Sequence, residues 1–280
     1  MSAKILYGTE VANKIKEDLI TKTEKLKKEN IYPHLVVIST SYDNSSQVYV
    51  KSLEKKCNSI GIKFTEINID DYDTKSAIEL IKNTSQREDV HGILIQSPLP
   101  PKFDSFELKN ALSPEKDVDG CTAENQGRIA YNKAFNQPCT PAGIVEILKY
   151  YKIQTEGKNV VIVNRTPVIG KPLAFMLLNL NATVTICHSK TVNLSSICKN
   201  ADILITAIGK ANYIGKDYIK PNSVVIDAGI NCDENGKIVG DVIFEEAIEL
   251  CEAITPVPKG VGTVTSIMAM KNLIENIVRK

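Results

Sequence analysis

Asn159-Val-Val-Ile-Val-Asn-Arg-Thr-Pro-Val-Ile-Gly-Lys-Pro172 is the stretch on which the reading of this chain turns. Residues 160–163 form a continuous run of β-branched apolar side chains, the pattern of a strand covered on both faces. Asn164, Arg165, Thr166 and Pro167 follow as a polar turn with one fixed charge. A helical apolar run begins at Leu173 and ends at Leu180. Pro172 suits the helix's first turn, where its missing N–H leaves nothing unpaired. Strand, polar turn and helix in this order aim backbone N–H groups and a helix dipole at an anion. Arg165 adds a fork of donors matched to phosphate. An ordinary strand-to-helix turn with a surface arginine shows the same pattern, and the dinucleotide fingerprint G-x-G-x-x-G is absent, only Gly170 being present.

The alternation extends to both sides. Before it, the pattern predicts a helix from Thr9 to about Glu29, a strand over 35–38, a polar loop over 39–46 and a helix over 47–60 ended by Gly61. A strand over 62–67, a helix over 74–82 and a buried strand over 92–95 follow. Ser97-Pro-Leu-Pro-Pro101 is too proline-rich for a regular element. A short helix near 106–112 precedes a long irregular stretch, 113–140, of a length that marks a functional loop or an interdomain passage. Beyond it come helix 141–151, strand 159–163, helix 172–180, strand 182–187, helix 193–199, and strands 202–206 and 223–227. A Pro/Gly passage, 254–262, leads to a closing helix, 264–279. Strands alternating with helices predict an α/β fold with mostly parallel sheets. The layout is two domains, 1–140 and 141–262, with the closing segment 263–280 expected to return to the first.

Composition narrows the function classes. The chain has 280 residues, 43% hydrophobic and 24% charged, with net charge +1, which gives no electrostatic case for nucleic acid or a membrane surface. No apolar run approaches the roughly 20 residues of a membrane span, and the first residues lack the apolar core of a signal peptide. Seven cysteines stand singly, without C-x-x-C, a pattern expected of reduced thiols in a cytoplasmic protein. His34, His91 and His188 have no metal spacing, so no metal is assigned.

Strand ends carry the candidate chemistry. In dinucleotide sites the second strand supplies the group that reads the ribose, an acid for NAD and a neutral or cationic group for NADP. Here strand 182–187 runs into His188-Ser-Lys-Thr191, which has no carboxylate. Ser189 and Lys190 can both donate to a phosphate, although Lys190 fits a solvated loop equally. Thr206–Gly209 and Asp227–Asn231 end two further strands, and in a parallel sheet they share an edge with 164–166. In the first half, Tyr49, Gln96, Asp117 and Asp119 can orient a polar heterocycle. Each has a plain alternative, as a core tyrosine or as ordinary loop residues.

Together these residues resemble the bifunctional methylenetetrahydrofolate dehydrogenase/methenyltetrahydrofolate cyclohydrolase family over nearly the whole chain. The resemblance rests on Ser46-Gln-Val-Tyr-Val50, Gly92-Ile-Leu-Ile-Gln-Ser-Pro-Leu-Pro100, Lys116-Asp-Val-Asp-Gly120 and Pro138-Cys-Thr-Pro-Ala-Gly143. Arg165–Pro172, 201–210, 225–231, Gly240-Asp-Val242 and Thr255-Pro-Val-Pro-Lys-Gly-Val-Gly262 continue it in family order. The resemblance implies an N-terminal α/β folate-binding domain and a Rossmann-like NADP-binding domain flanking a cleft, usually as a homodimer. It implies oxidation of 5,10-methylenetetrahydrofolate with NADP, then hydrolysis of the methenyl product to 10-formyltetrahydrofolate. Carried over by position, Tyr49, Gln96 and Asp119 match the folate-site residues, and Asn164, Arg165, Thr166, Ser189 and Ile230 the cofactor contacts.

The match breaks at one catalytic position. The family's lysine lies four residues after the tyrosine, on the same helix face; here that position holds Leu53. Leucine cannot donate, accept or titrate. Lys51 lies roughly 160° around the helix from position 53, and Lys56 about 4.5 Å further along the axis, which leaves Lys56 as a candidate substitute. Cyclohydrolase activity is therefore in doubt, and a non-catalytic folate- or nucleotide-binding paralogue is the alternative. Milder departures put Ser41, Asn164 and Lys259 where the family has glycine, and Thr263 where it has proline. Asn164 is expected to keep the turn by tolerating left-handed backbone angles.

Overall fold

The computed structural model describes residues 3–42 and 44–279; Met1, Ser2, Asp43 and Lys280 lie outside the described residues, as do the side chains of residues 44–46, among them Ser46 of the first motif. In chain order, β1 (Lys4–Ile5) and α1 (Gly8–Lys28) come first. There follow β2 (His34–Ser39), α2 (Asn44–Ile60), β3 (Lys63–Asn68), α3 (Thr74–Gln86), β4 (Gly92–Ile95), α4 (Ser105–Asn110) and α5 (Ala123–Ile129). The second half holds α6 (Cys139–Tyr150), β5 (Asn159–Val163), α7 (Gly170–Leu178), β6 (Thr183–Cys187), α8 (Leu194–Cys198), β7 (Ile203–Thr206), β8 (Val224–Asp227), β9 (Asn231–Cys232), β10 (Ile238–Val239), α9 (Phe244–Ala247) and β11 (Ala253–Ile254). The closing helix is α10 (Val261–Val278).

These elements form two units. One comprises Met1–Asn13 with Thr140–Thr265, the other Lys14–Cys139 with Ser266–Lys280. The first thirteen residues group with the second half of the chain because β1 pairs in parallel with β11, Lys4 opposite Ala253 and Ile5 opposite Ile254. α1 and α10 each begin in the first of these units and continue into the other.

The first unit carries a six-stranded parallel sheet in the order β1-β11-β8-β7-β5-β6. Its central strands are buried as their β-branched runs require: all four residues of β7 and of β8, and four of the five in β5. β6 follows β5 on one side and β7 lies on the other, so the chain reverses direction across the sheet between β5 and β7. Ligands of open parallel sheets sit beyond the carboxyl ends of strands at such a switch point.

The other unit repeats the device on a smaller scale. Its three parallel strands run β3-β2-β4, so its switch point lies between β2 and β4. β2 is buried at all six positions, and Val36, Ile38, Ile93 and Ile95 pack with Ile69, Ile81 and Leu108 on one face of the sheet. Local sequence sets the helix starts. Asp73 and Ser76 form a reciprocal capping box on α3, Asp104 accepts from two N–H groups of α4, and Thr122 caps α5. Within the stretch read as irregular, 113–140, α5 is the one helix lying wholly inside; Gly127 and a short apolar pattern hide it from a periodicity search. Among the described residues no helix is long and apolar enough to cross a membrane.

Candidate functional site

Gln96 sits at the switch point of the three-stranded unit. It is the first residue past β4, and its N–H continues the ladder to the Ile38 carbonyl at 2.9 Å. Its side chain is 3% exposed, and neither carboxamide atom has a hydrogen-bond partner among the described residues. A buried, unsatisfied carboxamide costs stability, and one placed beyond the carboxyl end of a strand is the mark of a group kept for a ligand.

The loop carrying Asp119 is pinned from several directions. Ile93 and Asp117 form an isolated bridge beside β4. The Asp117 carboxylate accepts from the Thr122 N–H at 2.8 Å and from the Asn125 amide at 3.1 Å. The Asn272 amide, on α10, donates to the Val118 and Gln137 carbonyls at 2.8 and 3.0 Å. Gly120 turns the chain at φ +63°, and a Cβ there would meet the Pro138 nitrogen at 2.6 Å; both facts require glycine. Asp119 is thereby set near the Tyr49 hydroxyl. Burial pushes that hydroxyl well above its usual range, and the Asp119 charge pushes it further, so Tyr49 is a neutral donor near pH 7. Tyr49 as a residue is 37% exposed. Burial likewise raises Asp119, and hydrogen bonds from Cys121 and Cys139 pull it back.

The lysine positions resolve differently. Leu53 is fully buried. Lys51 is exposed. Lys56 lies seven positions after Tyr49, so it returns to about the same helix face roughly 10.5 Å along the axis. Its ammonium donates to the Ser266 hydroxyl on α10, and burial lowers its pKa. The structure thus ties Lys56 to α10.

In the six-stranded unit, Asn164 spans the switch point. Its amide donates to the Ala207 carbonyl, past the end of β7, at 2.6 Å. Its Oδ1 accepts from the Thr166 N–H and hydroxyl, both at 2.8 Å, and from the Gly170 N–H at 2.9 Å. Asn164 is absent from the positive-φ residues, so left-handed tolerance is not what keeps the turn; the side chain staples it. Gly170 is required because any Cβ there would collide with the Asn164 backbone. Thr166 is engaged within the turn.

A cavity of about 230 Å³ opens beside this staple, lined by Asn164, Arg165, His188, Ser189, Lys210 and Tyr213 among others. None of its described lining residues carries a carboxylate. Two cations, two hydroxyls and no acid fit a nucleotide bearing an extra phosphate. Thr166, Lys190 and Ile230 are not in the lining. Ile230 stands 67% exposed, and its Cδ1 would lie 3.1 Å from a Cβ at Gly262. Lys210 was not legible as a site residue; its ammonium lies 5.2 Å from the Tyr213 ring centre, after a strand end whose only signal was Gly209. The loop 208–210 is held by Asp241, whose carboxylate accepts the N–H groups of Ile208, Gly209 and Lys210 at 2.5, 3.0 and 3.0 Å.

Comparison with known proteins agrees with both halves. Residues 6–119 match the catalytic-domain model of tetrahydrofolate dehydrogenase/cyclohydrolase, and 138–280 match its NAD(P)-binding-domain model. The bifunctional protein FolD of Clostridium botulinum strain Okra is 46% identical over 275 residues, 97% of each chain. The crystal structure of the bifunctional FolD enzyme from Campylobacter jejuni superposes with a TM-score of 0.96 at 39% identity, over 99% of both chains. The Trypanosoma brucei methylenetetrahydrofolate dehydrogenase-cyclohydrolase, solved with NADP and an inhibitor, gives 0.92 at 30% identity over the whole of both. With matches covering both halves at this identity, the chain belongs to the tetrahydrofolate dehydrogenase/cyclohydrolase family.

Proposed function

We propose that this protein oxidises 5,10-methylenetetrahydrofolate to 5,10-methenyltetrahydrofolate with NADP, and that it lacks the cyclohydrolase step. The observation that carries the second half is Leu53, fully buried at the family's lysine position, with Lys56 tied to Ser266.

The division follows from chemistry. Bound NADP supplies the hydride acceptor, so oxidation asks the protein for position and electrostatics. Gln96 offers a donor and an acceptor to the pteridine, Asp119 accepts from its N–H groups, and Tyr49 donates as a neutral phenol. Arg165, Lys210 and Ser189, which line one cavity, would hold the phosphate of the nucleotide. The loop stapled by Asn164 and Asp241 keeps these groups in place. Adding water to the methenyl cation requires a group that takes a proton from the attacking water. A leucine side chain has no such group, and the ammonium of Lys56 is directed to α10.

The reading also takes residues 14–139 with α10 as the folate side and the six-stranded unit as the nucleotide side. It includes a homodimer, supported by the family resemblance and by β6, an edge strand whose Ile186 is 37% exposed. The seven unbridged cysteines support a reducing, cytoplasmic setting.

Purified protein with methylenetetrahydrofolate should reduce NADP faster than NAD, with methenyltetrahydrofolate building up as product. Reduction of neither nucleotide by folded, nucleotide-binding protein would favour a non-catalytic paralogue.

A further inference from the structure

Asp119 is flanked by two thiols. The Cys121 thiol donates to Asp119 Oδ2 at 3.1 Å, with the Asp119 carbonyl oxygen further off at 3.5 Å. The Cys139 thiol donates to the Val118 carbonyl at 3.4 Å and lies close enough to the Asp119 carboxyl to influence its pKa. Gly120, with its left-handed φ, folds residues 119 and 121 back on each other, and its close approach to residues 136–138 brings Cys139 alongside.

We propose that Cys121 is a positioning residue for Asp119: its thiol fixes the orientation in which the carboxylate receives the N–H groups of a pteridine. This rests on the folate reading of the site. The groups acting on Asp119 are few. Burial and Asp117 raise its pKa, the two thiols and Lys109 lower it, and the neutral Tyr49 hydroxyl lies nearby. Burial holds both thiols far above their usual range, and the Asp119 charge adds to this. They therefore remain S–H donors across the working pH range and do not compete as thiolates. The Cys139 thiol is directed at the Val118 carbonyl, which leaves Cys121 as the thiol donor aimed at Asp119 Oδ2. A hydrogen bond to the charged form lowers a carboxyl's pKa, so removing it favours protonation, and a protonated Asp119 can no longer accept at both oxygens.

The test is a carbon-13 titration of aspartate carboxyl groups in the full chain, with Asp119 assigned through Asp119→Asn, on the wild type, Cys121→Ala and Cys121→Ser. The expected result is an Asp119 pKa raised by about half to one unit in Cys121→Ala and returned toward wild type by the serine hydroxyl. The acid limb of kcat/KM for methylenetetrahydrofolate should move up in parallel. KM should rise about three- to tenfold on that limb, while KM for NADP stays unchanged. Identical Asp119 titration in all three proteins overturns the proposal. The expected titration difference among the three proteins, with a wild type that neither binds nor oxidises the folate, upholds the hold of Cys121 on Asp119 and overturns the folate reading instead.

Discussion

Asp241 donates its backbone N–H to the carboxylate of Asp227 at 3.1 Å, so two buried acids are built into one backbone cage. Asp227 also accepts from Gly229 and Val242 at 2.8 and 2.9 Å. Burial pushes Asp227 up to about 6 against the pull of these N–H groups, and the Asp241 charge adds to the rise. The folded state therefore retains a proton that the unfolded chain releases near 3.8. The stability tied to that proton is full below the unfolded value and is lost as pH rises through about 6. The loss is roughly 3 kcal/mol, at about 1.4 kcal/mol per unit. Asp227→Asn removes this titration. Urea unfolding between pH 4 and 7 should show the variant's stability falling less steeply than the wild type's by about that amount, whereas parallel curves would rule the mechanism out.

Asn164 links β5, the turn and the end of β7 through one carboxamide. Asn164→Ala leaves the Ala207 carbonyl and two N–H groups to find other partners. It should lower stability by about 2 kcal/mol and raise the Kd for NADP severalfold. Calorimetry of the free and NADP-saturated protein separates the two effects.

Arg165 and Lys210 should decide which nucleotide is preferred. Charge-assisted contacts to an extra phosphate exist only with NADP, so Arg165→Ala is expected to raise KM for NADP about ten- to a hundredfold and change that for NAD little. Equal losses with both nucleotides would mean that Arg165 serves the shared diphosphate.

Lys259 adopts φ +77°, at a position where the resemblance leads one to expect glycine. A left-handed lysine costs about 1–2 kcal/mol, part of which glycine gives back through unfolded-chain entropy. Lys259→Gly should stabilise the protein by up to about 1 kcal/mol, read as a higher thermal midpoint.

Long buried strands and capped helices were readable from residue order because burial on two faces and helical spacing leave periodic marks. β2, β5 and α3 are of this kind. The two-residue strands β1 and β11 were not readable, since Lys4–Ile5 and Ala253–Ile254 are too short to carry a period and exist only by pairing with each other and with β8. Tyr49, Gln96, Asn164 and Arg165 could be proposed for the site because each sits beside a strand end or on a helix face, and Asp119 because its loop motif matches the family. Cys121, Lys210 and Asp241 could not, because their roles come from loop closure: a left-handed glycine, a ring contact and a cage of backbone N–H groups. Lys56 was a candidate by helix geometry alone; its hydrogen bond to Ser266, 210 positions away in sequence, left no mark in residue order.

The most direct test of the account is the fate of 5,10-methenyltetrahydrofolate mixed with purified protein. Decay at the spontaneous rate whatever the protein concentration, in a preparation that reduces NADP with methylenetetrahydrofolate, is the predicted result. Formation of 10-formyltetrahydrofolate in proportion to added protein would contradict it and show that a group other than the residue at position 53 moves the proton.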